Sequence, residues 1–169
     1  MKKPWTVIYT LTNQGRHPIT HNTMTPNEAV TKYWQAYTKH DQEGILALLA
    51  PEYTLRSPLS PNPSTKDMVG GGLKLFEKSF PDLKEQIVSI IAEGDRVVCE
   101  VVETATFTGP LDWPTGTIAP TNKAYALPFA AFFRVNAQGL IVEQRNYWDT
   151  ANWIRQVGID AKLFTPKGK

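Results

Sequence analysis

The sequence predicts an α+β fold, a curved antiparallel sheet packed against N-terminal helices, and three observations carry the prediction. Helix-forming segments come first, between residues 25 and 80. From Leu83 the hydrophobic period changes to two, over four long segments joined by turn residues. A short amphipathic segment, 151–157, follows directly on the last of them. Helices grouped before a run of strands, instead of alternating with them, favour helices on one face of an antiparallel sheet. A chain of 169 residues fits one such domain.

The first helix starts at a capping box. In Thr25-Pro26-Asn27-Glu28 a hydroxyl caps the first free amides, proline takes the first helical position, and the glutamate returns a bond. Ala29, Val30, Tyr33, Trp34, Ala36 and Tyr37 then recur at helical spacing. A second short helix is expected over 42–49, stopped by Pro51. A strand over 52–57 and a proline-rich loop over 58–63 lead to a third helix over 65–80. Its Gly70-Gly71-Gly72 lacks both a preceding strand and a following GKS or GKT, so the expectation is close packing against a neighbour and not a phosphate cradle.

Segments 83–92, 96–108, 122–135 and 140–148 form a sequential antiparallel meander, with tight turns at 93–95 and 136–139. The loop 109–121 holds Pro110, Pro114 and Pro120, too rigid for helix, and is expected to fold over one end of the sheet. The last helix has Asp149 or Thr150 at its N-cap and Gly158 at its close. Residues 1–24 are expected as an N-terminal appendage, 25–162 as the folded domain and 163–169 as a tail.

Composition narrows the chemistry. The 18 basic and 16 acidic residues are spread along the chain without a Lys/Arg block, so no nucleic-acid partner is expected. No run approaches the ~18 apolar residues of a membrane span, and the N-terminal apolar stretch is too short and polar for a signal peptide. A cytoplasmic protein is the expectation. The single cysteine, Cys99, excludes an internal disulfide, and His17, His21 and His40 do not form a ligand pattern, so no metal site is expected. Neither a GxSxG elbow nor a dinucleotide fingerprint occurs.

Strand parity isolates one anomaly. Val97, Cys99, Val101, Glu103, Ala105 and Phe107 share a face, and Glu103 alone among them is charged. A carboxyl on an apolar face must be paired, hydrogen-bonded or neutralised, and a desolvated one suits general acid/base work. The bland alternative is a local bulge that lets Glu103 reach solvent or an arginine. Segment 122–135 is nearly free of charge on both faces, with Tyr125, Leu127, Phe129, Ala131 and Phe133 on one of them; one face covers core and the other is free to meet a second subunit. Asp149, at a strand-to-helix junction, has two jobs open to it: helix cap or acid/base at a pocket mouth. Strict alternation groups it with Tyr147, Arg145, Glu143 and Ile141, although strand ends often bulge.

The stretches YWQAYTKHDQEGILALLAPEYTLRSP, ATFTG and GLIVEQRNYWDTANWIRQVG resemble the SnoaL-like polyketide cyclases of the nuclear transport factor 2-like superfamily, over residues 25–160. The resemblance implies a cystatin-like conical α+β barrel with a deep apolar cavity, a homodimer through the outer sheet face, and neither metal nor organic cofactor. It also implies an aspartate as general acid/base, which falls on Asp149. Many relatives carry a histidine where Phe107 stands, so the family's acid/base pair is not intact, and Glu103 on the same face is the substitute that parity offers. The expected enzyme is a cofactor-independent cyclase or isomerase acting on an apolar carbonyl or polyketide-like molecule. Asp149 and Glu103 are its catalytic candidates, and Trp34, Tyr37, Met68, Phe76, Phe107, Trp113, Phe129 and Tyr147 line its substrate site. A non-catalytic ligand-binding or dimerisation protein on the same scaffold is the alternative.

Overall fold

The computed structural model describes residues 24–164. Apart from Met24, the expected appendage lies outside the described residues, as do His17, His21 and the expected tail beyond Phe164.

Helix α1, Pro26–Thr38, begins at the capping box: Thr25 Oγ1 accepts from the Glu28 amide at 3.3 Å and Glu28 Oε2 accepts from the Thr25 amide at 2.8 Å. It buries Ala29, Val30, Tyr33 and Trp34. Helix α2, Gln42–Ala47, is capped by Asp41 and ends earlier than expected, because Leu49 already belongs to strand β1, Leu49–Arg56. Pro51 therefore sits inside a strand and does not stop a helix. Its missing N–H is tolerated because the pairing of β1 shifts register between Leu49 and Thr54.

Strand β2, Ser64–Thr65, leads into helix α3, Lys66–Ser79. The glycine triplet of α3 corrects the expectation of close packing. A Cβ at Gly70 would touch Leu46 at 3.4 Å, but one at Gly71 or Gly72 would meet nothing within 4 Å.

Strands β3, Lys84–Glu93, and β4, Arg96–Thr106, form the first half of the meander. The loop that follows carries a small hairpin, β5 (Leu111–Trp113) and β6 (Gly116–Ile118), anchored by the buried Leu111 and Ile118. Gly109 lets this loop enter against α3, since a Cβ there would lie 1.9 Å from the Lys78 carbonyl. Strands β7, Ala124–Val135, and β8, Ile141–Trp148, complete the meander. Helix α4, Thr150–Val157, is N-capped by Asp149 and closed by Gly158 at φ 70°, and a 3-10 turn, Ala161–Phe164, follows.

The main sheet runs β2-β1-β8-β7-β4-β3. Its β3-β4-β7-β8 part is the expected antiparallel meander, whereas β1 adds to β8 in parallel. The inner face packs against the helices in two apolar clusters. One gathers Tyr33, Trp34, Tyr53, Val101 and Phe133, and the other Phe80, Phe107, Tyr125, Trp153 and Val157. A pocket lies between the helices and this inner face. Among the described residues, no helix is long and apolar enough to cross a membrane.

Candidate functional site

Alternation along the strands decides what the pocket contains. On β4 the inward set runs through Val97, Cys99, Val101, Glu103 and Ala105, and β7 answers with Tyr125, Leu127, Phe129, Ala131 and Phe133. At the edge, β3 places Glu85 directly opposite Glu103. Directly opposed residues have Cβ atoms about 5 Å apart on one face, so two carboxyls meet in one corner of the pocket. Glu85 is buried between Leu83 and the partly buried Ile87, which share its parity.

The pocket has a volume of about 260 Å³ and is lined mainly by aromatic and aliphatic side chains. Trp34, Trp113, Trp148 and Trp153 all reach it; among the five tryptophans of the chain, the remaining one, Trp5, lies outside the described residues. Trp34 and Trp148 stand edge-on to Phe129 at 6.0 and 6.3 Å between ring centres. The Trp34 indole N–H donates to Cys99 Sγ at 3.4 Å, and burial pushes that thiol up to about 11, so Cys99 is inert packing. Asn146 reaches the pocket from β8 and is held by Gln144, whose Nε2 donates to Asn146 Oδ1 at 3.0 Å; Gln144 in turn accepts from the Tyr53 hydroxyl at 2.6 Å. Among the described residues, the charged side chains that line the pocket are Glu85 and Glu103.

The two carboxyls have unequal surroundings. Burial raises both above the usual carboxylate range. For Glu103 this is opposed by the Tyr125 hydroxyl, which donates to its Oε1, and Tyr125 is itself hydrogen-bonded to Trp153. Glu85 has no such donor: its Oε2 is buried without a hydrogen-bond partner, and desolvation followed by repulsion from Glu103 pushes it up to about 9. Two interacting carboxyls titrate as a pair, and here both are shifted toward the protonated form, with Tyr125 opposing the shift at Glu103. Tyr37 stands beside them, kept neutral by burial first and then by the charges of Glu85 and Glu103.

Six of the expected substrate-site residues line this pocket: Trp34, Tyr37, Met68, Phe76, Trp113 and Phe129. Four expected positions need closer placement. Glu103 lines it, hydrogen-bonded to Tyr125 and without an arginine. Phe107 does not line it; it is fully buried in the second cluster, its ring 5.1 Å from that of Phe80. Tyr147 points to the opposite face of the sheet, 54% exposed and edge-on to Phe132. Asp149 is also outside the lining, because its Oδ1 accepts from the Asn152 amide at 2.8 Å and its carbonyl accepts from the Trp153 amide at 3.1 Å. Asp149 follows the last residue of β8, Trp148, and is exposed at the start of α4. Sequence reasoning missed Glu85, although its parity with Leu83 and Ile87 was available as a signal. It also missed Asn146 and Trp153 as lining residues.

Among the described residues no group of three or more His, Cys, Asp or Glu side chains could hold a metal ion.

The family model of the SnoaL-like domain matches residues 30–144. No curated protein matches the chain. Among solved structures, IdmH of Streptomyces antibioticus, a candidate polyketide cyclase, is similar with TM-score 0.67 and 21% identity, over 80% of this chain and 100% of that one. A candidate SnoaL-like polyketide cyclase from Jannaschia sp. CCS1 gives TM-score 0.69 and 17% identity, over 87% and 99%. AclR of Streptomyces galilaeus, a candidate hydroxylase, gives TM-score 0.66 and 22% identity, over 79% and 95%. At such identities the likeness is one of fold.

Proposed function

The chain belongs to the SnoaL-like domain family, and from that premise we propose that it is a cofactor-independent acid/base enzyme, a cyclase or isomerase acting on a compact, apolar carbonyl compound. The observation that carries this reading is the pair Glu85 and Glu103 in an aromatic pocket. Glu103, whose carboxylate accepts from Tyr125, is the base that removes a proton from the carbon beside a carbonyl. Glu85, protonated, donates to the carbonyl oxygen as negative charge develops there, and Tyr37 is placed to share that task. Returning the proton at another carbon gives isomerisation; attack of the enolate on a second carbonyl of the same molecule gives cyclisation.

A volume near 260 Å³ is at the small end of ligand pockets, which favours one or two fused rings over an extended polyketide. The test is deuterium exchange into 2-indanone and 2-tetralone in D2O, followed by NMR. Exchange above the buffer rate is expected, reduced about 10²-fold or more in Glu103→Gln. Buffer-rate exchange with both ketones, or full exchange in that variant, overturns the proposal.

The second reading is a non-catalytic binder on the same scaffold, and Phe107 favours it, because packing against Phe80 occupies the position where the family resemblance implies a polar partner. Under it, Glu103→Gln binds the same ketones as the wild type and neither catalyses exchange. Pairing of two copies through the outer sheet face also belongs to this proposal. Ile91 and Tyr147 are 68% and 54% exposed, and sedimentation of a monomer at micromolar concentration would refute it.

A further inference from the structure

The acid/base reading leaves a charge to be balanced. When Glu103 takes a carbon-bound proton it becomes neutral, and the negative charge passes to the enolate oxygen. Enzymes that stabilise such charge commonly place an arginine, a lysine or a metal ion beside it. Among the described residues none of the pocket-lining side chains is basic, and the polar ones are the two carboxyls, Asn146, serines and aromatic N–H and O–H groups. What the pocket supplies instead is four indole rings with Phe129, Phe76 and Tyr37. Indole faces carry the strongest negative quadrupole of the side chains and attract organic cations, more so when water is excluded. One carboxylate, an aromatic wall and no competing cation form an environment complementary to a protonated amine and hostile to an anion.

We propose that the substrate of this site carries a basic nitrogen: a compact cyclic ketone bearing an amine, whose ammonium group lies against the tryptophan wall. This rests on the acid/base reading and specifies its substrate class. The substrate's ammonium supplies the positive charge that the protein does not. It faces Glu103 before proton transfer and the enolate oxygen afterwards, so the pocket holds one positive and one negative charge throughout. The proton moves from carbon to the Glu103 carboxylate, and no oxidant or reductant is needed.

The titratable side chains lining the pocket are Glu85 from β3, Glu103 from β4 and Tyr37 from α1, with Tyr125 of β7 behind Glu103 as its hydrogen-bond donor and Tyr33 beside Tyr37. Helices α3 and α4 and strand β8 contribute no titratable side chain to the lining. Binding of the cation therefore draws protons from the carboxyl pair, and affinity rises with pH until the amine itself loses its charge.

Three rigid probes of one shape test this by titration calorimetry: 2-aminoindane, 2-indanol and indane-2-carboxylate. At pH 7.5 the amine is expected to bind about tenfold more tightly than the alcohol, with the carboxylate weakest. The ratio of amine to alcohol affinity is expected to grow from pH 6 to pH 8. Glu85→Gln with Glu103→Gln is expected to remove the preference while alcohol binding persists, which shows that the pocket is still formed. Trp113→Leu, on the small hairpin, is expected to weaken the amine more than the alcohol. Equal affinity for amine and alcohol, tighter binding of the carboxylate, or no binding of the amine overturns the inference. Exchange of 2-indanone protons reads the acid/base step separately. Exchange without amine preference refutes the amine alone, whereas amine preference without exchange refutes the catalysis.

Discussion

Glu103 and Asp149 are both carboxylates at the edge of apolar strands, and they end in opposite circumstances. Glu103 lies on the inward face of β4, opposite Glu85, in a pocket walled by indoles. Its one hydrogen bond among the side chains comes from Tyr125. Asp149 lies where β8 gives way to α4, and the free amides of the helix start satisfy it. A carboxylate that accepts from a helix N-terminal amide is held in place by it, which suits a cap. A carboxylate that burial pushes toward protonation, against a single hydroxyl donor, holds its proton more readily than a free one, which suits acid/base work. The difference lies in where the donors are and not in the residue type.

The sharpest break of this comparison is catalytic. Glu103→Gln is expected to lower proton exchange about 10²-fold or more, while Asp149→Asn changes it less than about twofold, both read by NMR in D2O. The reverse pattern would return the acid/base role to Asp149.

Next in size is the effect of pH on stability. Glu85, raised from 4.5 to about 9 in the folded protein, keeps its proton where the unfolded chain has lost it. Its contribution is complete below about pH 4.5 and is lost as pH rises toward 9, so the wild type is expected to lose up to a few kcal/mol across that window. Glu85→Gln cannot ionise, and its melting temperature is expected to fall less between pH 5 and pH 9 than that of the wild type. Parallel curves from thermal unfolding at matched pH would show that Glu85 is not the buried acid.

The cap is worth less. Asp149→Ala is expected to cost about 1 kcal/mol, a drop of about 2–4 °C in melting temperature, and to leave ligand affinity unchanged. The smallest effect compares two adjacent glycines of α3. Gly71→Ala and Gly72→Ala each have room for a Cβ and are expected to gain up to about 1 kcal/mol of stability from helix propensity. Gly72 lines the pocket, so its substitution is expected to weaken 2-indanone binding as well, and Gly71→Ala is not; equal affinity in both would place Gly72 away from the ligand.

Much of the fold was legible because it rests on local signals. The Thr25–Glu28 box starts α1, alternation around Glu103 marks β4, and Gly158 closes α4, each through contacts within a few residues. Two features were less so. The parallel pairing of β1 with β8 depends on residues nearly a hundred positions apart, such as Leu49 and Ile141, and no short-range pattern announces it. The hairpin inside the loop was masked by its prolines, although Leu111 and Ile118 turned out to be its buried anchors.

For the site the division is similar. The sequence by itself determined that Glu103 shares a strand face with apolar residues, because side chains two apart on a strand share a face whatever lies across from them. It also determined that Asp149 sits at a strand-to-helix junction, where helix cap and pocket acid/base were both open. Tertiary structure decided the rest. Which residue faces Glu103 depends on strand register, and the bulge between Ile87 and Ser89 places Glu85 there. Whether an aromatic side chain lines a pocket or fills a core depends on how the helices and the small hairpin close over the sheet. That closure brings Trp113, Trp148 and Trp153 to the pocket and leaves Phe107 packed against Phe80, since burial is set by long-range packing that no single segment encodes.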